Sequence, residues 1–318
     1  QKIKIAKFLV NSPAIGIKKF IYDFNFKKNI TLMDYLIFNY IKYNKNLRIF
    51  TLFPVRNKHF DNKCFEIIKK YGNILITKSL PVGNLINGFN MCRVFYDGAK
   101  WIGNLNNKYQ GAMWKAKVCL GNTNGIIDVI VFKPNEEKYS TAIHLKKMKE
   151  EIRELYKIRF HSIHSSDDHS ETIRYSKIFF HSNTRILSQK HRGSFFNKLE
   201  LSLEELRKLN VDLSQFVFSG SAVMAALGLR EPKDLDVFHT KSFNLPNNIS
   251  SHNYQIKYLR QKVNELIFNP KKYFFYMGFK FLHPKFILEM KVNRNKIKPN
   301  SKDQNDIKIL EKFLAPIT

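Results

Sequence analysis

Cysteine is scarce in this chain of 318 residues: Cys64, Cys92 and Cys119 are the whole complement. They are odd in number and far apart, and they form no CxxC pair. A disulfide framework and a zinc ribbon are therefore excluded; three reduced, buried thiols in a cytoplasmic setting are expected. Long apolar runs are missing as well. No stretch approaches the roughly 18 uncharged apolar residues that cross a bilayer. The opening Gln1-Lys2-Ile3-Lys4 is Lys-rich and leads into no apolar core, so no secretory signal is read there. The chain starts with Gln rather than Met, as a piece of a longer protein would, and a leader lost upstream stays an open alternative. No internal repeat and no low-complexity tract interrupts it.

Acidic residues are also few: 26 Asp and Glu stand against 54 Lys and Arg, a formal net charge of +28. The excess is uneven. Residues 200–318 carry 19 basic and 12 acidic side chains, residues 1–199 carry 35 and 14, and the first 58 hold 12 and 2. Such a field attracts polyanions, whether nucleic acid, anionic headgroups at a membrane surface or a phosphorylated substrate. A second reading stays open, because simultaneous richness in Lys, Asn, Ile, Phe and Tyr is what AT-rich coding imposes. Apolar material is plentiful, with 44% hydrophobic residues and 28 Phe. That suffices for sizeable cores, and the length suits two globular units.

Texture along the chain suggests three parts: a basic, partly helical segment (1–47), a mixed α/β domain (48–190) and a second mixed domain (191–318). In the first, Leu32 to Tyr43 has helical spacing. In the second, Ile49–Val55 and Ile74–Thr77 read as strands around a helix, Phe60–Tyr71. Gly83–Asn90, with two Gly and three Asn, reads as a loop. Cys92–Tyr96, Trp114–Leu120 and Ile126–Phe132 read as strands, the last two separated by the turn at 121–125, and Trp101 and Trp114 are expected in the core or on a sheet face. Thr141–Tyr156 reads as a helix. Near the join, Ser202 with Glu205 has capping-box spacing and is expected to open a helix.

The stretch with chemistry in it is Phe216-Val217-Phe218-Ser219-Gly220-Ser221, then the small-residue run to Leu227, then Lys233-Asp234-Leu235-Asp236-Val237-Phe238. It reads as strand, tight turn, helix and strand. Side chains alternate along a strand, so Asp234 and Asp236 are expected on one face, with Leu235 and Val237 toward the core. Two such carboxylates repel unless a cation sits between them, and Mg2+ (or Mn2+), which also binds triphosphate oxygens, suits the position. Gly220 would let the backbone approach a phosphate, Ser221 would offer a hydroxyl, and the following helix start would aim N–H groups at the anion.

This arrangement resembles the polymerase-β-like nucleotidyltransferase superfamily, which joins a Gly-Ser or Gly-Gly turn to an Asp-x-Asp strand about a dozen residues on. The resemblance covers roughly the last hundred residues, from about Phe216 to about Leu314. It implies a mixed sheet with flanking helices, phosphate contacts from Gly220 and Ser221, and catalytic metal binding by Asp234 and Asp236. The implied reaction moves a nucleotide from a nucleoside triphosphate to an acceptor and releases pyrophosphate. Lys302-Asp303-Gln304-Asn305-Asp306-Ile307, in a final helix expected to be capped by Ser301, resembles the closing stretch of small members, where a basic residue reaches the triphosphate. The resemblance extends that role to Lys302 and Arg294 here. The family also expects a third carboxylate on a neighbouring strand. The strand expected at Tyr273–Phe281 has none, and the nearest acids are Glu265 and Glu289. Its lack leaves a degenerate, purely binding domain as an alternative.

A second cluster, His161 to Glu171, holds His161, His164, Asp167, Asp168 and His169, a set suited to zinc, manganese or iron. It would make the protein bifunctional. The competing reading is a helix from His169 capped by Asp168 with Glu171. The expected enzyme is thus a Mg2+-dependent nucleotidyltransferase whose acceptor is a small metabolite, a glycan precursor, a protein side chain or an RNA end. The alternative is a basic nucleic-acid-binding protein. In that alternative the transferase domain is degenerate; a third reading is a bifunctional or scaffolding subunit of a larger polypeptide, its basic amino-terminal part touching a membrane or a partner.

Overall fold

The computed structural model describes residues 30–120, 125–209, 212–240 and 248–315. Of the basic segment expected at 1–47, residues 1–29 lie outside the described ones, as do 121–124 of the expected turn. Helices and strands are numbered along the whole chain. The fold is mixed α/β, and the chain divides into two compact units. One lies within Gln1–Val82 and Lys117–Phe180, the other within Gly83–Ala116 and His181–Thr318. This differs from a division near residue 190, because 83–116 and 181–190 go with the carboxy-terminal residues.

In the first unit, α1 (Ile30–Tyr43) precedes β1 (Arg48–Leu52), α2 (Asp61–Tyr71) and β2 (Gly72–Pro81). After the excursion through 83–116 come β3 (Ile126–Pro134), α5 (Ala142–Tyr156), β4 (Ile163–Ser165) and α6 (His169–Phe179). The four strands are antiparallel in the order β2-β3-β1-β4, the split βαβ pattern. Phe50, Leu52, Ile130, Phe132 and Ile163 form a core with Cys64 and Ile68 of α2 and Leu145, Met148 and Ile152 of α5. Every residue of β1 is buried, Arg48 and Thr51 included, so both faces of the strand are covered. Buried Arg56 donates to both oxygens of Asp61, at 2.9 and 2.8 Å, and to Asp128, tying α2 to β3.

Residues 83–120, most of them in the second unit, and the rest of that unit overturn several sequence expectations. The loop and strands expected between 83 and 120 are instead α3 (Leu85–Phe95) and α4 (Gln110–Leu120). Asn84 caps α3 by accepting from Asn87 N at 2.8 Å, so an Asn-rich stretch that resembles a loop is a helix start. Residues Asn87 to Phe95 are all buried, which erases the one-sided periodicity that marks a surface helix. In α4 the buried positions are Ala112, Lys115, Ala116, Cys119 and Leu120; Trp114 is 54% exposed, while Trp101 is 48% exposed. Neither is a core residue. The three cysteines are free and buried, as expected.

Next come α7 (Ser182–Gln189) and α8 (Asn197–Lys208). Ser202 opens no helix: it sits inside α8, its hydroxyl donating to Lys198 O at 2.9 Å. The sheet consists of β5 (Phe216–Ser219), β6 (Leu235–His239), β7 (Ile249–Ser251), β8 (Tyr273–Tyr276) and β9 (Phe279–Leu282), in the order β7-β6-β5-β9-β8. Between them lie α9 (Gly220–Ala226) and α10 (Val263–Phe268), and after them α11 (Pro284–Ile297) and α12 (Ser301–Leu314). The single strand expected at 273–281 is a hairpin. Met277 and Gly278 both have positive φ, 48° and 89°, the two-residue turn that matches strand twist. The cap of α12 is Asn300, not Ser301; its side chain accepts from Asp303 N at 2.8 Å.

Arg93 of α3 is 1% exposed and forms an ion pair with Glu200 of α8, 3% exposed. Arg93 Nη1 also donates to Tyr276 Oη at 3.2 Å, and Tyr276 Oη donates to Glu200 Oε1 at 2.6 Å. Such a pair mainly fixes which elements meet, because desolvation consumes most of its attraction. Glu200→Ala is expected to destabilise the protein by about 3–5 kcal/mol in urea titration, leaving Arg93 buried and unpaired. Arg93→Met with Glu200→Leu is expected to recover most of that loss; a double variant as unstable as the single one would contradict this account.

Candidate active site

The antiparallel register of β5 and β6 sets Ser219 opposite Asp236. It thereby places the Gly220-Ser221 turn beside the acids that follow it in sequence. Gly220 has φ +57°, and a methyl group there would lie 2.5 Å from Asp236 Oδ2 and 3.4 Å from His252 Cε1. Glycine alone meets both demands. All seven residues of α9 are buried, which accounts for its small side chains. The Ser221 hydroxyl, expected at a phosphate, donates to Asp234 O at 3.0 Å and lies 3.4 Å from Asp234 Oδ1. It anchors the bend that leads into β6.

Asp236 lies on β6, and Asp234 sits in the bend just before that strand, exposed. The expected pair on one strand face is thus one strand residue and one bend residue. The Asp236 side chain is only 14% exposed. Burial, and then repulsion from Asp234, raise its pKa from the ordinary 3.8 to about 6, against the pull of Lys291, Lys302 and Arg294.

Those three cations come from α11 and α12. Arg294 donates to both oxygens of Asp303 at 2.6 Å, and Lys291 Nζ lies 3.1 Å from Asp303 Oδ1 and 2.8 Å from Asp306 Oδ2. Arg230, just beyond α9, grips Asp306 at 2.6 and 2.8 Å. Both acids are 1% exposed. Burial opposes ionisation of Asp303, but hydrogen bonds from Arg294, Asn300 and Lys291 outweigh it and hold the carboxyl well below the usual range. The two acids of the Lys-Asp-x-x-Asp stretch are therefore a buried strut that pairs with Lys291, Arg294 and Arg230, while Lys302 itself is exposed.

Two residues of the site carry little sequence signal. Lys291 stands one helical turn before Arg294, a spacing that places them on one face. His252 follows β7, the strand that pairs in parallel with β6, with Asp236 opposite Ser250. Its backbone N donates to Val237 O at 2.7 Å, its Nδ1 lies 3.3 Å from Ser219 Oγ, and its Nε2 lies 3.6 Å from Asp236 Oδ2. Burial, then the charge of Arg294, lowers its pKa to about 4, so the ring is neutral at pH 7. β7 is only three residues long, too short to show alternation. It also corrects the search for a third acid: the neighbour of β6 beyond β5 is β7, not the 273–281 hairpin, and no acid occurs between Asp236 and Glu265. Glu265 pairs with Lys272.

The second cluster is not assembled as a metal site. His161 Nδ1 lies 3.5 Å from Cys119 Sγ, His164 Nε2 bonds Tyr175 Oη at 2.7 Å, and Asp167 pairs with Lys149 at 2.7 Å. His169 Nε2 lies 3.2 Å from Lys42 O, and Asp168 caps α6 by accepting from Glu171 N at 2.8 Å. Each side chain serves a different local contact. Among the described residues, no group of three or more His, Cys, Asp or Glu could hold a metal by itself.

Comparison of the chain with models of known protein families, with curated proteins and with solved structures found no match.

The raised pKa of Asp236 has a thermodynamic consequence. A carboxyl whose folded pKa exceeds its unfolded value contributes stability below the unfolded value and loses it as pH climbs through the folded one. The depressed His252 works in the opposite sense, so comparison with Asp236→Asn isolates the carboxyl. Without added metal, the variant is expected to match wild type near pH 4 and to exceed it by on the order of 1–3 kcal/mol at pH 7, in denaturant titrations across that range. Equal stabilities at pH 7 would contradict the assignment.

Proposed function

We propose that the second unit binds a nucleoside triphosphate with a divalent cation and transfers its nucleotide to an acceptor. The observation that carries this reading is the packing of Gly220 against the Asp236 carboxylate, with Asp234 beside it and Lys291, Lys302 and Arg294 near enough for their charge to act on it. A buried carboxylate, a second acid and a cationic rim suit a ligand that brings both a cation and a polyanion. Asp234 and Asp236 would hold the cation. Mg2+ commonly takes one or two protein carboxylates and completes its shell with water and phosphate oxygens. When bound, the cation would neutralise charge on the phosphates.

The chain's own part is to hold and orient. Gly220 keeps the space over Asp236 clear of side chain, Ser221 fixes the bend carrying Asp234, and the cations face the phosphates. In the transfer, an acceptor oxygen forms a bond to the α-phosphorus while the bond to the bridging oxygen breaks, and pyrophosphate leaves with that electron pair. With no acid on β7, an acceptor that is already an anion, such as a phosphate group, suits the site better than a hydroxyl that must lose a proton.

The same missing carboxylate favours a second reading, a domain that binds the triphosphate without turning it over. Thermal shift with each of the four ribonucleoside triphosphates and Mg2+, run beside a pyrophosphate-release assay, separates the two. Stabilisation that disappears in Asp234→Ala/Asp236→Ala, accompanied by pyrophosphate release, is the expected result. Stabilisation without release in the presence of candidate acceptors would favour binding alone, and no stabilisation by any triphosphate would refute both.

A further inference from the structure

Tyr254 is 64% exposed, the most exposed aromatic side chain among the described residues of the second unit. Its backbone is not loose. The preceding residue, Asn253, clamps His239 of β6 twice: its Oδ1 accepts from His239 N at 3.0 Å and its Nδ2 donates to His239 O at 2.9 Å. His252, one residue earlier, is held by its own hydrogen bond to Val237 O. A short helical turn, Asn253–Tyr258, therefore presents the phenol from a base fixed to the strand that carries Asp236.

The ring's position matters as much as its exposure. Tyr254 meets His252 edge-on, with ring centroids 5.6 Å apart and planes at 83°. His252 in turn lies 3.6 Å from Asp236. The phenol thus stands on the ring that itself neighbours the Asp236 carboxylate, one residue removed from the acid. At 64% exposure, most of the phenol stays open to solvent despite this contact. Arg294, on the cationic rim, is close enough to feel both Tyr254 and Tyr258.

We propose, resting on the triphosphate reading above, that Tyr254 is the platform on which the base of the nucleoside triphosphate stacks, and that it accepts any of the four bases. Every base has a π-face, so stacking alone selects weakly. Reading a base edge needs accessible polar groups; of the amides flanking Tyr254, Asn253 is engaged at both ends on His239, and Gln255 is buried, its Oε1 3.4 Å from Arg294 Nη1. Purines, with the larger face, bind somewhat more tightly than pyrimidines.

Titration calorimetry with ATP, CTP and inorganic tripolyphosphate, each with Mg2+, tests this on wild type, Tyr254→Ala and Tyr254→Phe. Tyr254→Ala is expected to weaken ATP about 5- to 150-fold while leaving tripolyphosphate unchanged, a result that also shows the variant is folded. Tyr254→Phe is expected to retain wild-type affinity, with ATP and CTP within about tenfold of each other. ATP binding unaffected by Tyr254→Ala but abolished by Asp236→Ala would overturn the stacking proposal and leave the triphosphate site standing. Strong selection of one base would overturn the indifference to base. Failure of both ATP and tripolyphosphate to bind wild type would overturn the triphosphate reading, and this proposal with it.

Discussion

Where β5 runs into α9, the backbone at Gly220 passes so close to the Asp236 carboxylate that no side chain fits between them. The approach is fixed by the register that pairs Ser219 with Asp236 and, on the other side of β6, Asp236 with Ser250. A one-residue slip of that register would send Asp236 to the opposite face of the sheet and bring Leu235 or Val237 out of the core. The arrangement of turn, acid and His252 thus follows from the burial of a few apolar side chains on β5 and β6, all of which lie in one core.

A second set of constraints holds the cations in place. Asp303 and Asp306 are almost inaccessible to solvent, so each must be matched by donors, and those donors are Lys291, Arg294 and Arg230. The network ties α11, α12 and the segment after α9 together, while Arg294 keeps a quarter of its side chain exposed. An electrostatic demand inside the fold thereby sets the positive rim outside it. The raised pKa of Asp236 fits the same picture: the carboxyl is kept buried beside Asp234 at a cost to stability, the pattern expected where a ligand supplies the missing charge.

Much of this was legible in the sequence where local signals were strong. The turn at Gly220-Ser221, the strands on either side and the buried cysteines follow from short-range rules. The errors fell where burial removed periodicity or where a motif had two uses. Cys92–Tyr96 looks like a strand because α3 is buried on nearly every face, and Asn84 looks like a loop residue because capping and turns favour the same side chains. Met277-Gly278 splits an aromatic run that has no other break. His252 was beyond reach, since its place beside Asp236 depends on a parallel pairing with a three-residue strand. The His161–Glu171 cluster shows the converse: neighbours in sequence, its side chains go to separate partners.

The central claim is that Asp234 and Asp236 hold a divalent cation together with triphosphate oxygens. The most direct test is a crystal structure of the protein with Mg2+ and a triphosphate analogue that cannot be cleaved at the α–β bridge. The account expects one cation touching both carboxylates and at least one phosphate oxygen, with the phosphates running past Gly220 toward Arg294 and Lys302. A triphosphate bound elsewhere on the chain, or bound at this site with no cation between the two aspartates, would contradict it.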